Sequence, residues 1–123
     1  MRLFAKNKSS INGQAICPGD KSISQRVIII GALANQDISI SGFLKGEDPL
    51  STLSALNQIG ADISMTNDVV NLNKRETPFN NPSNLIDLGN SGTGMRLMMG
   101  LICLLYTSDA ADEGLGVDLG GRR

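Results

Sequence analysis

Apolar and polar positions follow two rhythms along the chain, and the switches between them mark its elements. From Ile11 to Cys17 the alternation is imperfect but near a period of two, which predicts a short strand stopped by Pro18-Gly19. Val27, Ile30, Leu33 and Ala34 then fit one face of a helix that opens near Ser22 and ends near Asn35. Ile38-Ser39-Ile40-Ser41 alternates strictly, as a half-exposed strand does. Asp48-Pro49 offers a cap and a first-turn proline for a second helix, with Leu50, Leu53, Leu56 and Ile59 as its apolar stripe and Gly60 as its stop. Two short strands, 61–66 and 69–72, flank the turn Asn67-Asp68, and the Pro- and Asn-rich stretch 74–84 reads as a surface loop. Leu85-Ile86-Asp87-Leu88 predicts another strand, which runs into Gly89-Asn90-Ser91-Gly92-Thr93-Gly94 and an apolar helix from Met95. The predicted order, β-α-β-α-β-β followed by β-α, is that of an α/β architecture with βαβ crossovers.

The 123 residues suffice for one core. With 41% hydrophobic and 19% charged residues and a net charge of -1, the chain reads as soluble and globular, with no basic excess to hold a nucleic-acid backbone. Trp is absent and aromatics are few, which leaves little on which bases could stack. The apolar run from Met95 to Tyr106 is broken by Gly100 and too short to span a bilayer. Met1-Arg2-Leu3-Phe4 leads into polar residues rather than a secretory apolar stretch, so the cytoplasm is the expected compartment. Cys17 and Cys103 lie far apart without a CxxC pair and are expected to be buried thiols. The lack of His excludes a Ser-His-Asp triad, a Cys-His pair and a typical zinc site within this chain, and no metal is expected. Chemistry here must use Lys, Arg, carboxylates, hydroxyls and backbone dipoles.

Two stretches gather those groups. In Pro18-Gly19-Asp20-Lys21-Ser22-Ile23-Ser24-Gln25-Arg26, Ser22 and Gln25 have the spacing of a capping box, which opens the helix at Ser22. Lys21 then stands just before the helix N-terminus and Arg26 one turn inside it. Unpaired N–H groups, a positive dipole end, two hydroxyls and two cations would suit a phosphate. On these nine residues alone, a capped helix with solvated cations is an equally good reading. The second stretch, Gly89 to Arg96, repeats the design: a strand, a glycine-rich turn, hydroxyls at a helix start, and an Arg in the first turns. Its spacing is neither a dinucleotide-binding GxGxxG nor a P-loop. Two such helix starts in one short chain favour a ligand over two empty turns.

In their sequence and order, PGDKSISQR and LGNSGTGMRL resemble the paired motifs of the enolpyruvyl transferases, most closely those of the EPSP synthase family. Residues 42–48 and 56–61 resemble that family's linking segments, and the likeness covers roughly residues 11–103. It implies a domain of repeated βαβαββ units, of which this chain would hold the N-terminal part. It also implies transfer of the enolpyruvyl group of phosphoenolpyruvate to the 5-hydroxyl of shikimate 3-phosphate, with release of phosphate, on the shikimate pathway to chorismate and aromatic amino acids. No cofactor is implied, the full-length enzyme is expected to be a monomer, and neither nucleic acid nor membrane is an expected partner. By this resemblance Lys21, Ser22 and Arg26 would bind shikimate 3-phosphate, Lys21 also touching phosphoenolpyruvate, while Asn90, Gly92 and Thr93 would line the phosphoenolpyruvate site.

Two features depart from the pattern. Gln25 stands where the family usually has His or Asn. From about Leu104 the resemblance stops and the composition turns acidic and then glycine-rich, so residues 104–123 are expected to be a foreign or unstructured tail. The groups that move protons in this family would lie outside the chain, which is therefore expected to be catalytically inert alone. Two other readings stand beside this one. One is the sister enzyme that loads enolpyruvate onto UDP-N-acetylglucosamine, although its first motif is closer to Gly-x-Lys-Asn than to Lys21-Ser22. The other is a noncatalytic anion-binding α/β module.

Overall fold

The computed structural model describes residues 3–4, 10 and 12–112. Six elements follow one another: α1 (Lys21–Ala34), β1 (Ile38–Ser41), α2 (Glu47–Gln58), β2 (Asp62–Thr66), β3 (Val69–Asn73) and α3 (Gly92–Asp112). The last stretch of the expected tail, 113–123, lies outside the described residues, whereas the backbone of 104–112 continues α3.

The sheet is three-stranded in the order β1-β3-β2, with both outer strands antiparallel to β3. β1 and β2 are therefore parallel to one another with β3 between them, and α2 makes the crossover. Its register stacks Ile38, Leu72 and Ile63 in one row and Ile40, Val70 and Met65 in the next. The opposite face carries Ser39, Asn71 and Ser64, with the Ser39 hydroxyl donating to Asn71 Oδ1 at 2.8 Å. A sheet with one apolar and one polar face needs a single helical layer, which α1 and α2 provide. Ile28, Ile29 and Ala32 of α1, Ala55 and Leu56 of α2 with Ile59 just after it, and Met98 and Leu101 of α3 close the core over Val70 and Leu72. Ile28 is fully buried. Ile28→Val is expected to lower stability by about 1 kcal/mol, measurable as a shifted denaturation midpoint.

The hairpin forms as expected: Asn67 and Asp68 have φ of 48° and 70°, the left-handed pair of a two-residue turn that matches strand twist. Asn35 ends α1 in the left-handed region, as its position suggested. Asn35 and Arg75 then exchange hydrogen bonds, Arg75 N–H donating to Asn35 Oδ1 at 2.7 Å and Asn35 Nδ2 donating to the Arg75 carbonyl at 3.1 Å. The Arg75 guanidinium donates to the Ala32 carbonyl at 2.9 Å and stacks 3.7 Å from the Phe79 ring centroid. A cation is thus held at the negative end of α1, with burial holding it below its ordinary pKa.

Four expectations need correction. Residues 12–17 and 85–88 form no strand, and Ile16 and Leu85 are almost fully exposed. Each pattern asks for a ladder partner, and the described residues offer none at that place, although Leu88 is buried in the core and Ile86 packs against it. The buried face of α1 is Ser24, Gln25, Ile28, Ile29, Gly31 and Ala32, while Ile30 and Leu33 are exposed. Val27 to Ile30 is apolar all round, so its periodicity cannot choose a face. Helix α2 begins two residues earlier than expected, with Gly46 rather than Asp48 at the cap position. Both cysteines are exposed rather than buried.

Candidate functional site

The first motif is capped by Asp20, not by a Ser22–Gln25 box: Asp20 Oδ1 accepts from Ile23 N–H at 2.8 Å. Lys21 is then the first residue of α1 and is about half exposed, its ammonium 2.9 Å from Asp48 Oδ2 at the start of α2. Ser22 is half-buried and Arg26 exposed, and a spacing of four places them on one helical face a turn apart. The Arg26 guanidinium pairs with no carboxylate among the described residues. Ser24, the other hydroxyl of the motif, turns inward and accepts from the Leu44 N–H at 3.0 Å, so it braces the link after β1 rather than joining a cradle.

The second motif starts its helix three residues earlier than expected. Ser91 is the residue before α3; its carbonyl accepts from Met95 N–H at 2.9 Å and its hydroxyl from Gly94 N–H at 3.0 Å. Gly92 and Thr93 therefore lie in the first helical turn, Gly92 exposed and Thr93 half-buried, and Asn90 is exposed just before the cap. The turn is set by Gly89, which takes a φ of 57° and donates its N–H to Asp87 Oδ1 at 2.7 Å.

One side chain ties the two motifs together. Gln25 is completely buried, and its Nε2 donates to Ser91 Oγ at 2.8 Å and to Thr52 Oγ1 at 2.9 Å, with the Asp48 carbonyl at 3.3 Å. Thr52 in turn donates to the Asp48 carbonyl at 3.0 Å. The network joins the first turns of α1 and α2 to the cap of α3, so three helix N-termini meet at one end of the molecule. Three positive dipole ends there favour an anion. Glu47 and Asp48 in the first turn of α2 offset part of that field.

Sequence reasoning found the two motifs but not their connection. Gln25 read as a capping residue and Asp48 as a cap rather than the partner of Lys21, and Thr52 was not singled out. The available signal was weak: Asp48 and Thr52 are one turn apart, and both precede apolar positions. Gly94 lies against the buried network, where a Cβ would sit 2.7 Å from Ser91 Oγ and 2.8 Å from Thr52 Oγ1. No group of three or more potential metal ligands exists among the described residues, and no helix among them is long and apolar enough to cross a membrane.

The profile of the EPSP synthase (3-phosphoshikimate 1-carboxyvinyltransferase) family matches residues 5–111. The 3-phosphoshikimate 1-carboxyvinyltransferase of Petrotoga mobilis is 45% identical over 119 residues, an alignment covering 94% of this chain and 28% of that protein. The enzyme of the same name from Shouchella clausii is 40% identical over 103 residues, covering 83% of this chain and 24% of its own. Among solved structures, EPSP synthase from Acinetobacter baumannii superposes with a TM-score of 0.64 at 40% identity, over 72% of this chain and 21% of that one. The chain thus spans about a quarter of the length of these relatives, and its α/β fold is that of the matching part. With both motifs in contact through Gln25 and Ser91 and the family profile running from residue 5 to 111, the chain belongs to the EPSP synthase family.

Proposed function

We propose that this chain supplies part of the substrate site of an enzyme that transfers the enolpyruvyl group of phosphoenolpyruvate to the 5-hydroxyl of shikimate 3-phosphate. In that reaction the hydroxyl oxygen bonds to the enolpyruvyl carbon, a tetrahedral intermediate forms, and inorganic phosphate leaves. The observation that carries the reading is the convergence of three helix N-termini, with Lys21 and Arg26 on one and Asn90 to Thr93 at another. Both substrates are multiply anionic, and ammonium and guanidinium donors are the groups that bind them.

Within this site Lys21, Ser22 and Arg26 hold shikimate 3-phosphate, and Lys21 also reaches phosphoenolpyruvate. Asn90, Gly92 and Thr93 line the phosphoenolpyruvate side, where exposed Gly92 leaves room for backbone N–H groups to approach a carboxylate or phosphate. The proton-transfer groups belong to the remainder of the enzyme, so the chain alone binds without turning over. The whole enzyme works as a monomer in the cytoplasm. The family match does not favour the UDP-N-acetylglucosamine enzyme.

Calorimetric titration of the 123-residue chain tests the reading. Shikimate 3-phosphate is expected to bind and unphosphorylated shikimate not to. Equal binding of both, or of neither, would sink the proposal. Asp48 competes with the ligand for Lys21, so Asp48→Asn is expected to tighten shikimate 3-phosphate severalfold in the same titration. Because the Lys21–Asp48 pair is half exposed, the substitution should change stability by less than about 1 kcal/mol.

A further inference from the structure

We propose that Gln25 is a positioning residue, whose buried amide registers the cap of α3 against the first turns of α1 and α2 so that the two motifs act on one anion. The proposal rests on the substrate-site reading above but makes a claim about the chain that can be tested without a substrate.

The argument begins with cost. Gln25 is fully buried beside Ile28 and Ile29, yet its Oε1 finds no hydrogen-bond partner among the described residues. A buried acceptor without a partner is destabilising, and an apolar side chain of similar length would avoid that cost. What the amide provides is direction. Its Nε2 has short contacts of 2.8 Å and 2.9 Å to hydroxyls on two different elements. One of those hydroxyls, Ser91 Oγ, is already the cap of α3 and accepts from Gly94 N–H at 3.0 Å.

Gln25 therefore fixes not merely a neighbour but the capping group itself, one residue from Gly92 and Asn90. Gly94 sits against the same atoms: a Cβ there would lie 3.1 Å from Gln25 Nε2, besides the two hydroxyls. Gln25 thus bonds to groups on two other helices and Gly94 to one of them, with no space for a larger residue at Gly94. On α1, Lys21 stands one turn before Gln25 on the same face. Any rotation of α3 that broke the Gln25–Ser91 bond would shift Asn90 and Gly92 relative to Lys21.

Hydrogen exchange and titration of the full chain test this with Gln25→Met, Ser91→Ala and the double variant. Gln25→Met keeps length and helix propensity but removes both donors. The expected signature is local: the Gly94 amide exchanges about tenfold faster, one hydrogen bond's worth, while α1 and β3 keep their protection. Ser91→Ala should give the same change at Gly94, and the double variant no more than either single one. Shikimate 3-phosphate affinity should fall about tenfold in Gln25→Met even though Lys21 and Arg26 are intact. Unchanged exchange at Gly94, additive effects in the double variant, or loss of protection throughout the fold would each overturn the proposal. If the parent chain binds no shikimate 3-phosphate but Gln25→Met still produces the Gly94 signature, registration stands and the substrate reading fails.

Discussion

Gly19→Ala is expected to destabilise the chain by about 3 kcal/mol or more, at the upper end of overpacking costs. A Cβ on Gly19 would lie 2.0 Å from the Gly42 carbonyl oxygen and 3.0 Å from the Leu44 nitrogen. Both atoms are backbone, so no side chain can swing away. The turn before α1 would have to separate from the link after β1. That movement would also pull Leu44 N–H from the Ser24 hydroxyl, which it meets at 3.0 Å. For a domain near this size, 3 kcal/mol corresponds to a melting temperature lower by about 12 °C or more. Thermal unfolding followed by circular dichroism would show it. A melting temperature within a degree or two of the parent's would mean that the two backbones do not approach as described.

Lys21→Ala is expected to do the reverse, removing binding while leaving the fold. Its ion pair with Asp48 is half exposed, so its loss should alter stability by less than about 1 kcal/mol. Hydrogen bonds to a charged group are worth about 1.5–3 kcal/mol, so shikimate 3-phosphate should bind about ten- to hundredfold more weakly. Calorimetry on Lys21→Ala beside a melting curve of the same sample separates the two effects. Undiminished affinity would remove Lys21 from the site. A melting point that collapsed with the affinity would make it a structural residue.

These two positions are two residues apart, with the cap Asp20 between them, and both were visible as part of a motif. What a residue does locally could be read directly. The Asn67-Asp68 turn needs left-handed backbone, Ile38 to Ser41 alternates because one face is wet, and Gly60 ends α2 with a φ of 97°. The segments 12–17 and 85–88 were misread because a strand exists only with a partner, which an alternating pattern cannot name. The face of α1 was misread for a related reason. Ile28 and Ile30 are equally apolar, and the tethers of Ser24 to Leu44 and of Gln25 to Thr52 and Ser91 decide which of them is buried. In the site, the cations were legible as chemistry. The amide that aligns the motifs was not, since a glutamine in a helix is usually solvated.

The strand order has a kinetic consequence. β3 pairs with β2 across a two-residue turn but with β1 across the whole of α2, from Ser41↔Val69 to Ile38↔Leu72. Closing the longer loop costs chain entropy that grows with the logarithm of its length, whereas the hairpin pays almost none of it. The hairpin is therefore the natural early event, on the microsecond scale of such turns, and it already presents Ile63, Met65, Val70 and Leu72 as an apolar strip. β1 can add to that strip only once α2 has folded back, which makes the arrival of β1, and with it the closing of the link that braces Gly19, the late step in assembling the site.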